Sequence, residues 1–212
     1  MNMNRVMQHL YLVSMAGGFT IVFGLLLGIL TYMSTSIRPF ILWTVDILQT
    51  IPVLALLGVI MVAFGASSTT VIIGIILYSL LPVVRNTYTG LSDIDPALKE
   101  AAIGMGMTKI QRLRNVELQL AFPMILTGIR IAIVTSIGTA VFGAVVGGGG
   151  LGSVINRAIL IQDMDTLLQA TGALMVMAIV FDFGMGWFEK RLRRKKVHMI
   201  QTELETEKEL TI

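Results

Sequence analysis

No cysteine occurs in the 212 residues, so neither a disulfide framework nor a thiolate metal site is available. Histidine is almost absent: His9 and His198 stand near opposite ends and are not expected to pair. Charge is scarce. Only 14% of residues are charged against 55% apolar, and the mean hydropathy is +0.81. A water-soluble domain does not carry so few charges. The dipeptide Gly-Lys never occurs, which removes the GxxxxGK[ST] phosphate loop, and HExxH and GxSxG are missing as well. The chain is therefore not expected to hydrolyse ATP itself. Nor is a separate signal peptide expected, because the first apolar run is too long and lacks a convincing cleavage context.

Long apolar runs fill most of what remains. After a polar start at 1–8, spans are expected at about 9–33, 40–64, 70–88, 121–146 and 166–188, each long enough to cross ~30 Å of hydrocarbon. The expected fold is an all-α integral membrane protein of about five transmembrane helices, one compact bundle with a tail at 189–212 that is first basic and then acidic. Gly24 and Gly28 form a GxxxG pair suited to close helix packing, and Gly128, Ser136, Gly138 and Gly143 give the fourth span the same character. Pro52 should kink the second span and free backbone carbonyls, either as a hinge or as fixed shape. Gly147 to Gly150 follow a helix instead of leading from a strand into one. They read as a flexible helix end and not as a phosphate loop.

Between the third and fourth spans, 89–120 is the one long stretch of mixed polarity. Asp95 suits an N-cap and Pro96 the first helical position. Residues 97–103 are mostly strong helix formers, and Gly104 and Gly106 can end the helix in the left-handed region. Thr108 and Gln111 have capping-box spacing for a second helix. The first helix is too short to persist alone in water. Ala97, Ala101 and Gly104 share one of its faces and Leu98, Ala102 and Met105 the next, so another surface can approach its backbone closely.

The basic residues orient the chain. With five spans, Arg38, the loop from Arg85 to Glu117 and the C-terminal tail fall on one side and hold all of the 16 Lys and Arg except Arg5, Arg157 and Arg130. That side is expected to be cytoplasmic, with the N-terminus outside. The cluster at 190–196 reads as an anchor on anionic lipid in preference to a nucleic-acid site. Trp43 and Trp187 fall where interfacial belt residues stand, a reading preferred to a ligand cage. Asp46, Arg130 and Asp182 lie within or near spans, where charge is expensive and often functional. Arg130 could pair with Asp182 or with Asp46; alternatively each reaches the interface or a partner subunit.

The segment Glu100-Ala101-Ala102-x-Gly104, followed at a distance by Pro123, resembles the EAA loop of ABC-importer permeases. The longer run 80–91 (Leu-Leu-Pro-Val-Val-Arg-Asn-Thr-Tyr-Thr-Gly-Leu), with Asp95 to Leu98 and Glu100 to Thr108, is similar to the osmoprotectant branch, the glycine betaine/carnitine/choline permeases. Gln49-Thr50-Ile51-Pro52 and Gly147 to Gly152 fit that branch too, and the resemblance covers roughly 10–190. Gln119 stands where that family often has proline, so the start of the fourth span is expected to be less kinked.

The resemblance implies a type I ABC-importer permease core in a bacterial plasma membrane. Asp95, Pro96, Ala97, Leu98, Glu100, Ala101, Ala102, Gly104, Met105 and Gly106 would form a coupling helix seated in a separate ATPase. Pro52, Arg130, Asp46 and Asp182 are candidates for the translocation path or its hinge. Implied partners are ABC ATPase subunits carrying ATP-Mg, a second permease copy or homologue, an external substrate-binding protein and membrane lipid. No cofactor is expected on this chain itself, and no nucleic acid. A permease for an amino acid such as methionine, an ATP-independent transporter or channel, and a small membrane scaffold are the other readings.

Overall fold

The computed structural model describes the backbone of residues 3–209 and side chains through Arg191. The basic residues at 193–196, His198 and the acidic residues Glu203, Glu205, Glu207 and Glu209 lie outside the described side chains. The elements are α1 (Met3–Met33), α2 (Arg38–Thr50), α3 (Val53–Phe64), α4 (Ser68–Ser92), α5 (Pro96–Gly104), α6 (Lys109–Arg112), a π-helical turn (Leu113–Glu117), α7 (Leu118–Phe142), a 3-10 turn (Gly143–Val146), α8 (Gly150–Leu160) and α9 (Met164–Glu209). No strand occurs among the described residues.

Small residues decide how the long helices meet. A Cβ added at Gly24 would lie 2.6 Å from Val83 Cβ, and one at Gly28 would lie 2.6 Å from Thr87 Cβ. These are the close backbone approaches that GxxxG spacing permits. The paired positions climb together, so α1 and α4 run parallel. Along α4 and α7 they run in opposite order: Val71 faces Gly143, Asn86 faces Gly128 and Gly90 faces Met124. The main core gathers Leu12, Val13, Leu57, Val71, Ile75, Ile137 and Leu151 from five elements.

Parallel α1 and α4 require the chain to return across the bundle between them, and α2 with α3 makes that return. Ile41 and Val45 of α2 cluster with Leu80 and Val84, while Leu57 and Ile60 of α3 meet Gly74. The second span is therefore one crossing broken in the middle. At Ile51 and Pro52 the backbone is extended (ψ 128° and 130°), and α2 and α3 meet at 103°. Proline at 52 has no N–H for the carbonyl of Leu48, which is why the helix stops there. Four unbroken helices are long and apolar enough to cross a membrane, and this bent pair, taken as one span, makes a fifth.

Two expectations need correction. Helix α1 begins at Met3, so residues 3–8 are its first turns and not a separate polar start. Gly147 to Gly150 do not form a loose helix end. Gly147 (φ 80°) and Gly149 (φ 74°) hold positive-φ conformations that favour glycine, and the Gly148 N–H donates to Gly143 O at 2.9 Å. The Gln8 amide clamps the turn, accepting from Gly150 N at 3.0 Å and donating to Gly148 O at 3.5 Å. Helix α8 follows directly. After it, Asp163 caps α9 through Thr166 N (3.0 Å) and Thr166 Oγ1 (2.6 Å), bonds that hold its carboxyl below the usual range.

Candidate functional site: the helix below the bundle and the charges within it

Helix α5 is built as its sequence suggests, with one change. The Asp95 carboxylate accepts from Ala97 N at 2.9 Å, and Pro96 occupies the first turn. At the other end Gly106 alone is left-handed (φ 79°), while Gly104 is the last helical residue. The N–H of Met107 reaches Ala102 O (3.1 Å) and that of Gly106 reaches Ile103 O (2.9 Å), the double closure of a Schellman motif. The capping box follows: Thr108 N donates to Gln111 Oε1 (2.9 Å) and Gln111 N to Thr108 Oγ1 (3.4 Å).

Ala102 is the only buried residue of α5; Ala97, Leu98, Glu100, Ala101, Ile103 and Gly104 are exposed, as is Met105 beyond it. The small-residue face at Ala97, Ala101 and Gly104 is therefore open. Beside it a cleft of about 400 Å³ lies between the end of α4 and the start of α7, lined by Gly90, Asp93, Leu98, Leu120, Pro123 and Met124 among others.

Two ties connect this exposed helix to the spans. Lys99 donates to Leu91 O (3.0 Å) and Ser92 O (3.4 Å) at the C-terminus of α4, where a cation offsets the helix dipole. Its ammonium also lies 5.3 Å from the Tyr32 ring at the end of α1. The second tie runs through the π-helical turn. In an α-helix, side chains five apart point about 140° away from each other. The wider turn at Leu113–Glu117, closed by Leu118 N to Leu113 O, brings Arg112 and Glu117 together at 2.7 Å. Glu117 is 1% exposed, and the Tyr32 hydroxyl is turned toward the same carboxylate. Sequence reasoning missed Tyr32, Lys99, Arg112 and Glu117. No helical spacing links Arg112 to Glu117, so the sequence carried no signal for the pair. Helix α7 then continues unbroken through Gln119 and Pro123.

The charges at membrane depth form two separate pairs. Arg130 meets Asp182 through two parallel bonds, Nε to Oδ1 and Nη2 to Oδ2, both 2.7 Å, with Glu189 at 3.9 Å. Asp46 pairs with Arg85 instead, at 3.1 and 2.6 Å. In sequence Arg85 groups with the basic residues of the loop, so nothing singled it out as the partner of Asp46. Pro52 follows Asp46 by six residues, just past the end of α2, and caps the start of α3. Trp187 is exposed beneath Arg191, whose guanidinium lies 5.2 Å from its ring. Among the described residues no group of three metal-ligating side chains converges.

A short capped helix held outside a five-crossing bundle invites comparison with membrane transport components. Over residues 20–194 the chain matches the family model described as "Binding-protein-dependent transport system inner membrane component". It is 40% identical to the glycine betaine/carnitine/choline transport system permease protein OpuCD of Bacillus subtilis, over 97% of this chain and 93% of that one. It is 41% identical to the osmoprotectant import permease protein OsmW of Salmonella typhimurium (88% and 87% covered) and 38% identical to the carnitine transport permease protein OpuCD of Listeria monocytogenes (92% and 87% covered). Among solved structures, the inward-facing MetNI methionine ABC transporter superposes with a TM-score of 0.83 at 23% identity, covering 90% of this chain and 95% of that one. That likeness carries the fold: the all-α core of a type I ABC-importer permease. By the family model and by relatives matched along almost its whole length, the chain belongs to the inner membrane components of binding-protein-dependent transport systems.

Proposed function

We propose that the chain is the membrane-spanning subunit of an ATP-driven importer for osmoprotectants such as glycine betaine, carnitine or choline. The observation that carries this reading is the 38–42% identity, along most of its length, to permeases whose names specify those solutes. The methionine transporter shares the fold at 23% identity, too little to transfer a substrate, so an amino-acid permease is the weaker reading.

Two ATPase subunits, each carrying ATP-Mg, grip α5 of this chain and the matching helix of a second permease copy or homologue. Glu100 to Gly106 is the handle they move, and the open face at Ala97, Ala101 and Gly104 lets the ATPase approach the backbone. The chain itself contributes no catalytic group. An external binding protein delivers the solute. The membrane is the bacterial inner membrane, with the N-terminus outside and α5 and the C-terminus in the cytoplasm, where the basic residues concentrate. No nucleic acid takes part.

Gly104→Leu tests the handle. A Cβ at Gly104 meets nothing within 4 Å, so the variant should insert and fold as the parent does. Its added bulk should abolish co-purification of the ATPase and ATP-driven uptake in proteoliposomes. Normal uptake by a well-folded Gly104→Leu permease would refute the socket.

A further inference from the structure

We propose that the face of the broken span carrying Asp46, Gln49, Thr50 and Pro52, with Arg85 beside it, lines the water-filled route and contacts the passing solute, a small zwitterion or quaternary ammonium ion. The solute class rests on the function proposed above; the wetness of the face does not.

Depth is the first argument. Residues 45 and 57 of the broken span lie beside Leu80 and Gly74, so Pro52 stands about halfway along α4 (Ser68–Ser92). At that depth the backbone leaves the helix. Pro52 gives Leu48 no N–H and offers α3 no side-chain cap. Irregular backbone in the hydrocarbon region is stable where protein buries it or water reaches it, and not against lipid. This chain does not bury it: Thr50 and Pro52 are exposed.

Charge on the same face is the second argument, and it is independent of the first. Asp46, Gln49 and Thr50 stand at i, i+3 and i+4 on α2. The Asp46 side chain is 38% exposed and that of its partner Arg85 is 56% exposed. Asp46 lies eight residues inside the start of α2, about 12 Å along the helix. Ionised side chains at such depth face a bundle interior or a watery cavity. The Arg130–Asp182 pair lacks the first feature, since both α7 and α9 are continuous around it.

The chemistry fits the solute. The Asp46 carboxylate attracts an ammonium head and the Arg85 guanidinium attracts a carboxylate, so the pair matches both ends of a zwitterion without adding net charge to the route. Trp43, three residues before Asp46 and 64% exposed, adds an aromatic face to which quaternary ammonium is drawn.

A chain without cysteine makes the test direct. Thr50→Cys and Gln49→Cys are compared with Phe19→Cys in the complete transporter, reconstituted in vesicles. Phe19 is exposed at the same depth on α1, five residues before the Gly24–Val83 contact. A charged methanethiosulfonate reagent reacts with thiolate, which forms only in water. Thr50→Cys and Gln49→Cys should react at least tenfold faster than Phe19→Cys, and saturating glycine betaine should slow them at least threefold. Rates equal to that of Phe19→Cys in both variants would mean a dry contact, with lipid or a second permease copy, and would overturn the proposal. Fast reaction indifferent to glycine betaine would overturn the solute contact. ATP-driven uptake by the unsubstituted complex separates the two readings. Its absence sinks the importer, whereas uptake with slow labelling sinks only this route.

Discussion

A Cβ added at Gly28 would lie 2.6 Å from Thr87 Cβ and 3.1 Å from the Val84 carbonyl; one added at Gly104 would meet nothing within 4 Å. The two glycines belong to regions built on opposite plans. Within the bundle, glycine removes bulk so that α1, α4 and α7 can touch. In α5, small residues leave a face empty on the outside. The bundle is held by close packing, with Leu12, Leu57, Val71, Ile75 and Leu151 fully buried within it. Helix α5 buries only Ala102 and is held by its caps and by two polar ties. A rigid body and a tethered handle need different chemistry, and the joint between them is where the difference can be broken most sharply.

That joint is Glu117. Its carboxylate is buried between Arg112 and Tyr32, where the π-helical turn hands the segment carrying α5 and α6 over to α7. Removing one partner of a buried ion pair strands the other, at about 3–5 kcal/mol. Glu117→Ala should therefore destabilise the whole permease by an amount in that range, measured as a lowered denaturation midpoint in detergent. Glu117→Ala and Arg112→Ala should be strongly non-additive, because they remove one interaction. Additive losses, or a loss below about 1 kcal/mol, would show the joint to be no tighter than an exposed pair.

How far the sequence could see follows the same division. Local chemistry was legible: the Asp95 cap, Pro96, the Thr108–Gln111 box and the glycine pair in α1 all report on residues within a turn or two of themselves. Helix α5, its exposure pattern and the five crossings follow from those signals and from apolar length. Features set by distant contacts were not legible. The π-helical turn places Glu117 against Arg112 and Tyr32, contacts that no 3.6-residue pattern announces. Pro52 announced a kink, but not that the two halves would meet at 103°. The glycine run looked loose because Gln8, which clamps it, is 140 positions away. Of the charges within spans, the sequence left Arg130 with two possible carboxylates; geometry joins it to Asp182 and gives Asp46 to Arg85.

Glycines inside the bundle supply the next effect in size. Gly28→Leu must push Thr87 away or separate α1 from α4, and overpacking of this kind costs about 1–3 kcal/mol, occasionally more. The thermal midpoint should fall, and the yield of correctly inserted protein with it. Gly24→Leu, against Val83, should behave alike. A Gly28→Leu permease as stable as its parent would mean that α1 and α4 are not in backbone contact, and the parallel register that makes α2 and α3 a crossing would lose its support.

The smallest effect is the most pointed. Gly104→Ala adds one methyl group to the last helical residue of α5, where the backbone is already helical and no neighbour lies within 4 Å. Alanine is the better helix former by about 1 kcal/mol in a helix interior and by less at an end. Stability should stay level or rise by a few tenths of a kcal/mol, and hydrogen exchange of the α5 amides should slow slightly. Ala97 and Ala101 already present methyl groups on that face, so a third should be tolerated by whatever seats there, and uptake should persist. Gly28→Ala, the same methyl placed between α1 and α4, should destabilise instead. If the two substitutions had the same sign, emptiness around α5 and crowding in the bundle would not be the physical distinction between them. If Gly104→Ala stopped uptake while leaving stability intact, the surface that meets α5 would have to approach its backbone more closely than a methyl group allows.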